Sequence, residues 1–177
     1  MNRLLMLIAT LSAAFLSTYI YAADDDWVSA VETDSAVIYI RTSDIKTNLT
    51  YSYTEAWEKY VTKKDSSYLI VKSRYYCLSD KAQTLESHSY SKSGKYLSGD
   101  RKADTAEFVI PDSVRQELLG SACLAGAITE LLSAHYADGG DISDTSSEKI
   151  TKAFGPYSVP AIIYYFANRH ELGRVIN

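Results

Sequence analysis

Tyr68-Leu69-Ile70-Val71-Lys72-Ser73-Arg74-Tyr75-Tyr76-Cys77-Leu78 is the stretch on which the fold turns. It is rich in β-branched and aromatic residues and holds neither Pro nor Gly, so it reads as a strand. Successive side chains of a strand point to opposite faces. Leu69, Val71, Tyr75 and Cys77, with Ser73 as the polar exception, then share one face. Tyr68, Ile70, Lys72, Arg74 and Tyr76 share the other. The first set suits a core and the second a half-exposed surface, so Cys77 is aimed at the core side.

Working outward, Val37 to Ile40 is a short β-branched run, and Leu49 to Val61 carries Tyr51, Tyr53, Trp57 and Tyr60. Weaker strands are expected at Ala82–Ser91 and Lys95–Ser98, with Ser91-Lys92-Ser93-Gly94 as the hairpin turn between them. A last strand, Ala106–Ile110, stops at Pro111. No crossover helix fits between these runs, so the strands form an antiparallel meander. The period then changes. Val114, Leu118, Ala122, Ala125, Ile128 and Leu132 recur three to four apart, which predicts a helix from Ser113 to about Tyr136, ahead of Gly139-Gly140. Asp112 or Ser113 can cap it, and Ser113 with Gln116 fits a capping box. Cys123 falls inside this helix.

The first residues read as a leader rather than as part of the fold. Arg3 is the one charge before Asp24, Leu4 to Leu16 is apolar except for Thr10 and Ser12, and Ala22 or Ala23 offers a small residue for cleavage. That run is short against the roughly 20 residues a membrane span needs, which disfavours an anchor. No cysteine stands near the cleavage site for lipid attachment. The expected organisation is a signal peptide over 1–22, a domain over 23–136, and a linker with a C-terminal extension over 137–177. The expected location is the periplasm, the cell surface or the medium.

Export governs the reading of Cys77 and Cys123. In an oxidising compartment an even pair with no other cysteine is most simply a disulfide. It would staple the helix to the sheet and make an α+β fold. The alternative, an activated thiol paired with His88, His135 or His170, finds no support in their spacing.

In the extension, Thr145 with Glu148 fits a second capping box, and Gly155-Pro156 marks a stop. Val159 to Ala167 is apolar and aromatic. It is too short to span a bilayer and has no basic face, so docking on the domain or on a second subunit is expected over a membrane-surface role.

Composition narrows the function. Of 177 residues 46% are apolar and 23% charged, the balance of a folded globular protein. Eighteen basic against 22 acidic residues give a net charge of -4, with no block of like charge to follow a phosphate backbone, so no nucleic-acid partner is expected. Two cysteines exclude an all-cysteine zinc site. No nucleophile elbow, phosphate loop, zinc-helix or dinucleotide pattern occurs, and the three histidines are scattered. Neither an enzyme, a metal nor a cofactor is expected. The 15 tyrosines against four phenylalanines are the best remaining lead. Tyrosine suits strands, and it is also enriched at recognition surfaces. Tyr68, Lys72, Arg74 and Tyr76, on the face away from Cys77, are the candidate binding surface, facing a protein partner.

The order of features also resembles a known family. A leader, Trp27, the stretch Tyr39 to Ile45, the strand around Trp57, the Cys77 strand, Tyr90 with Gly94, and Pro111-Asp112-Ser113 leading to Cys123 are similar to the surface-adhesin protein E family of Gram-negative bacteria, over about residues 27–126. That resemblance implies a six-stranded antiparallel sheet with a C-terminal helix packed on one face and tethered by a disulfide. It also implies homodimerisation and adhesion to host matrix proteins or cells. The adhesin is a lipoprotein, whereas this chain lacks the cysteine for lipid, and Phe108 stands where a Trp commonly precedes the proline turn. The expected function is an exported protein-binding or adhesion module. The alternative is a periplasmic inhibitor or immunity-type protein.

Overall fold

The computed structural model describes residues 26–139 and 142–172, the side chains of 169–172 excepted. The leader read at 1–22, with Asp24 and Asp25, and the side chain of His170 lie outside them. Eight strands form one antiparallel sheet: β1 Trp27–Glu32, β2 Ala36–Arg41, β3 Lys46–Asn48, β4 Tyr53–Thr62, β5 Tyr68–Tyr76, β6 Lys81–Tyr90, β7 Tyr96–Asp100 and β8 Glu107–Phe108. The helices are α1 Val114–Ala137, α2 Asp144–Phe154 and α3 Ser158–Leu172, with a 3-10 turn at Gly155–Tyr157 between the last two.

The continuous path is six strands long, β1-β2-β4-β5-β6-β7. The expected count of six is corrected to eight because β3 shares an edge of β4 with β2, and β8 shares an edge of β6 with β7. Both extra strands are short, three and two residues; β3 is too short for an alternation to register, and β8 lies within the strand read over Ala106–Ile110. Ala106–Ile110 accordingly shrinks to Glu107–Phe108. The strand expected from Leu49 begins only at Tyr53, since Asn48 Oδ1 accepts the backbone N–H of Tyr51 at 3.0 Å and Ser52 turns at φ 54. Tyr51 is therefore a turn residue, not a sheet residue.

The two faces of β5 fall as its alternation requires, except that Leu69, expected on the core side, is 37% exposed near the start of the strand, beyond the cover of the helices. Val71, Ser73, Tyr75 and Cys77 are buried, while Ile70, Lys72, Arg74 and Tyr76 are half-buried on the opposite face. Onto the first face α1 lays Leu118, Leu119, Ala122, Cys123, Ala127 and Leu131. A disulfide joins Cys123 to Cys77 across 46 residues, with Cα atoms 5.7 Å apart. Length and apolarity alone would let α1 cross a membrane. Here seven of its residues are buried in the fold and one is bonded to the sheet, as in a core helix.

Ser113 caps α1, its Oγ accepting the N–H of Gln116 at 3.3 Å. The reciprocal arm differs from the expected box: Gln116 Oε1 accepts the N–H of Asp112, at 2.6 Å, rather than that of Ser113. The N-cap of α2 is Ser143, not Thr145. Asp138 Oδ2 holds this cap by accepting from Ser143 N at 3.0 Å and Ser146 Oγ at 3.1 Å. Gly155 closes the helix at φ 51.

The extension docks on the domain. Ile150, Ala153 and Phe154 of α2 and Ala161 and Tyr165 of α3 join the same buried cluster as the sheet and α1. Tyr165 also shares a 2.6 Å hydrogen bond with His135 Nδ1 of α1. Helix α1 thus has apolar neighbours on more than one side, which explains why its apolar residues exceed a single stripe.

Gly126 marks the tightest crossing. A Cβ there would collide with Thr54 Oγ1 and come within 3.1 Å of both Thr47 Cγ2 and Phe154 Cε1. Thr54 and Phe154 are buried and have no room to retreat. Alanine favours helix by about 1 kcal/mol over glycine. Overpacking of this kind costs more, so Gly126→Ala should lower stability by about 1–2 kcal/mol net. Urea unfolding showing Gly126→Ala more stable than the parent would mean that α1 does not approach the sheet this closely.

Candidate functional site

The face of the sheet away from the helices is built from alternate residues of three long strands. Strand β4 supplies Tyr53, Glu55, Trp57 and Lys59; β5 supplies Tyr68, Ile70, Lys72, Arg74 and Tyr76; β6 supplies Gln83, Glu86, His88 and Tyr90. Pairing aligns them in rows across the sheet: Glu55, Arg74 and Gln83; Trp57, Lys72 and Glu86; Lys59, Ile70 and His88. Gln83 and Glu86 are an odd number of residues apart, and they share a face only because the register shifts between Lys72 and Ser73. That bulge absorbs Leu85 and re-aims the rest of β6.

Aromatic rings and cations interleave along this surface. Arg74 lies over the Tyr53 ring at 4.4 Å, and Lys72 over Trp57 at 5.9 Å. Lys59 lies over both Trp27, at 5.8 Å, and Tyr68, at 5.2 Å. Tyr68 stacks on Tyr90 with centroids 4.9 Å apart, and Tyr53 meets Tyr76 edge-on at 6.0 Å. His88 lies on Trp57 at 6.4 Å, with Nε2 3.3 Å from Glu86 Oε2.

Glu55 is the electrostatic centre of the lower rows. Its Oε1 accepts from Arg74 Nη2 at 2.6 Å and Nε at 3.0 Å, and Lys72 Nζ is 3.3 Å from Oε2. Partial burial opposes its charge, but the bonds from Arg74 and Lys72 outweigh this and hold the Glu55 carboxyl below its ordinary value. Two cations therefore share one carboxylate, which leaves a positive excess.

Toward β7 the surface opens into a groove of about 600 Å³. Trp27, Trp57, His88, Tyr90 and Tyr96 wall it; Arg41 reaches it from β2 and Arg101 from beyond β7. Arg41 is paired with Asp44 at 3.1 Å and Asp26 at 3.5 Å, and its Nε makes no hydrogen bond. Arg101 is 83% exposed and only 3.9 Å from Glu86. Gly99 opposes His88, and a Cβ there would stand 2.5 Å from His88 Nδ1 and 2.8 Å from Tyr96 Oη, so only glycine lets these rings close in.

Of the residues expected at the surface, Tyr68, Lys72, Arg74 and Tyr76 all lie on this face. They do not act as four free groups. Lys72 and Arg74 are bonded to Glu55, Tyr76 packs on Tyr53, and Tyr68 belongs to the Tyr90 stack. Tyr75, counted among the sheet tyrosines, is fully buried on the other face. The groove itself was missed. The alternation Tyr53-Glu55-Trp57-Lys59 in β4 was the available signal for its floor.

The opposite face holds one unusual group. Glu58 is 1% exposed beneath the helical layer. Tyr75 Oη donates to its Oε1 and Tyr60 Oη to its Oε2, each at 2.5 Å. Burial pushes the Glu58 carboxyl above its ordinary value of 4.5, and the hydrogen bonds offset this only in part. Among the described residues no three His, Cys, Asp or Glu side chains gather to hold a metal. Beside the two tyrosines, the Ser73 hydroxyl also hydrogen-bonds Glu58, and Arg115 acts on it electrostatically.

No family model, no curated protein and no solved structure matches this chain. The functional reading therefore rests on the site itself.

Proposed function

We propose that this chain is an exported, non-enzymatic binding module of the adhesion type, whose outer sheet face contacts another protein. The observation that carries the reading is the half-exposed sheet face of tryptophans, tyrosines and cations, opposite the face on which α1 packs. Such residues supply large contact area at low entropic cost, and they are the types that dominate binding energy when buried by a partner. The groove is shallow and lies across a sheet, which suits a macromolecule better than an enclosed small ligand. A host matrix protein is the expected class of partner; a periplasmic protein held by the same surface would make the chain an inhibitor or immunity-type protein instead.

The test is capture of a partner by the purified chain and by two variants. Trp57→Ala removes the central ring, and Tyr96→Ser removes one that is 54% exposed on the edge strand. A hot-spot aromatic costs about 2 kcal/mol or more on truncation, so binding should weaken by roughly thirtyfold for Trp57→Ala. Both proteins should keep their circular dichroism. Unchanged capture by both folded variants would remove the surface from consideration and move attention to the helices.

A further inference from the structure

Resting on that reading, we propose that the segment of the partner that enters the groove is an acidic polypeptide with an aromatic side chain among its carboxylates. The charge pattern carries this. The whole chain has a net charge of -4, yet the groove walls contribute Arg41 and Arg101 and no carboxylate, Arg41 being paired outside them with Asp26 and Asp44. Around the groove the cations outnumber their partners. Lys72 and Arg74 share Glu55, Arg101 touches Glu86 only at 3.9 Å, and Lys59 has no carboxylate partner among the described residues. On this face Glu55 and Glu86 stand against Lys59, Lys72, Arg74 and Arg101, a positive excess that runs against the overall balance. An approaching acidic segment gains from that field, and a basic one is turned away.

The aromatic half follows from shape. Gly99 leaves the ring planes of His88 and Tyr96 close together above Ile70, with Trp57 and Tyr90 on either side. A flat side chain seated there meets ring faces and edges at favourable distances. Carboxylates flanking it reach Arg101 beyond β7 and Lys59 on β4. Lys59 is already held over two rings, so little freedom is lost when it pairs.

Fluorescence anisotropy with a labelled decapeptide of alternating Glu and Tyr tests the proposal. A Lys–Tyr decapeptide and an oligogalacturonate of equal charge serve as comparisons. The Glu–Tyr peptide should bind and the Lys–Tyr peptide should not. Raising NaCl from about 50 to about 300 mM should weaken binding several-fold. Arg101→Glu and Lys59→Glu should each weaken it roughly tenfold. Arg101 is a surface side chain, so its variant keeps the test valid even if Lys59→Glu fails to fold. Equal binding of the two peptides, or no effect of the folded Arg101→Glu variant, overturns the acidic assignment. Binding of the uronate without the Glu–Tyr peptide overturns it in favour of an acidic glycan. In each case the surface reading is judged separately, by whether Trp57→Ala still loses the protein partner.

Discussion

A protein carrying Cys77→Ser and Cys123→Ser together should unfold with about 4 kcal/mol less stability than the parent, read from urea unfolding with the slope fitted for each protein, since opening the cross-link exposes more surface in the unfolded chain. The bond spans 46 residues, and chain-entropy reasoning assigns roughly this amount to closing such a loop in the unfolded state. Its position adds to the effect. Cys77 follows directly on β5 and is 2% exposed, and Cys123 is fully buried within α1. Two serines there place hydroxyls in a largely apolar contact, where the polar groups near Cys77 Sγ are the Tyr75 carbonyl at 3.7 Å and Thr54 Oγ1 at 3.8 Å. The Cys77→Ala, Cys123→Ala pair separates that polar cost from the loss of the cross-link. A loss below about 1 kcal/mol for the alanine pair would mean that packing of α1 on the sheet suffices and that the bond is redundant.

The second large effect belongs to Glu58. Its carboxyl in the folded state holds a proton to a higher pH than in the unfolded chain, where it titrates near its ordinary value of 4.5. Above 4.5 the unfolded state releases this proton first, so stability from Glu58 is complete at lower pH and is lost as pH rises through the folded-state value. Glu58→Gln removes the charge and keeps an acceptor for Tyr75 or Tyr60 and a donor for the other. The variant should gain roughly 2 kcal/mol over the parent at pH 8 and converge with it toward pH 4.5. Glu55 works in the opposite sense. Its folded-state value is lowered, so its contribution is present above the unfolded value and lost as pH falls through the folded one. The parent should therefore show a stability maximum whose acid limb persists in Glu58→Gln and whose alkaline limb flattens. An unchanged alkaline limb would show that Glu58 is solvated.

How much of this was legible in the residues depends on sequence distance. Strand β5 was readable because its alternation is unbroken, and that placed Cys77 on the core side. Helix α1 was readable for the same reason, through a different period. Strand β1 was not recognised. Its register shifts between Ser29 and Val31, so Val28 and Val31, an odd number apart, break the alternation. The groove was out of reach because Trp57, His88 and Tyr96 come together only through pairing of β4, β5, β6 and β7, and through a bulge that no local pattern announces. Glu58 follows Thr54 and Ala56 on the inner side of β4, so alternation implied its burial. What alternation does not say is that Tyr60 and Tyr75 would be there to receive it.

The disulfide also decides how the molecule bears mechanical load. Pulled from its two ends, the chain transmits force into β1 on one side and into α3 on the other. Cys77 and Cys123 bracket β6, β7, β8 and the first part of α1. While the bond is intact this loop cannot lengthen, which withholds roughly 160 Å of contour from the extended chain. Tyr90, Tyr96 and Arg101 all lie inside the shielded loop. Tension between the ends can thus strip β1 and the C-terminal helices while the strand order carrying the β6–β7 side of the groove stays closed by a covalent ring.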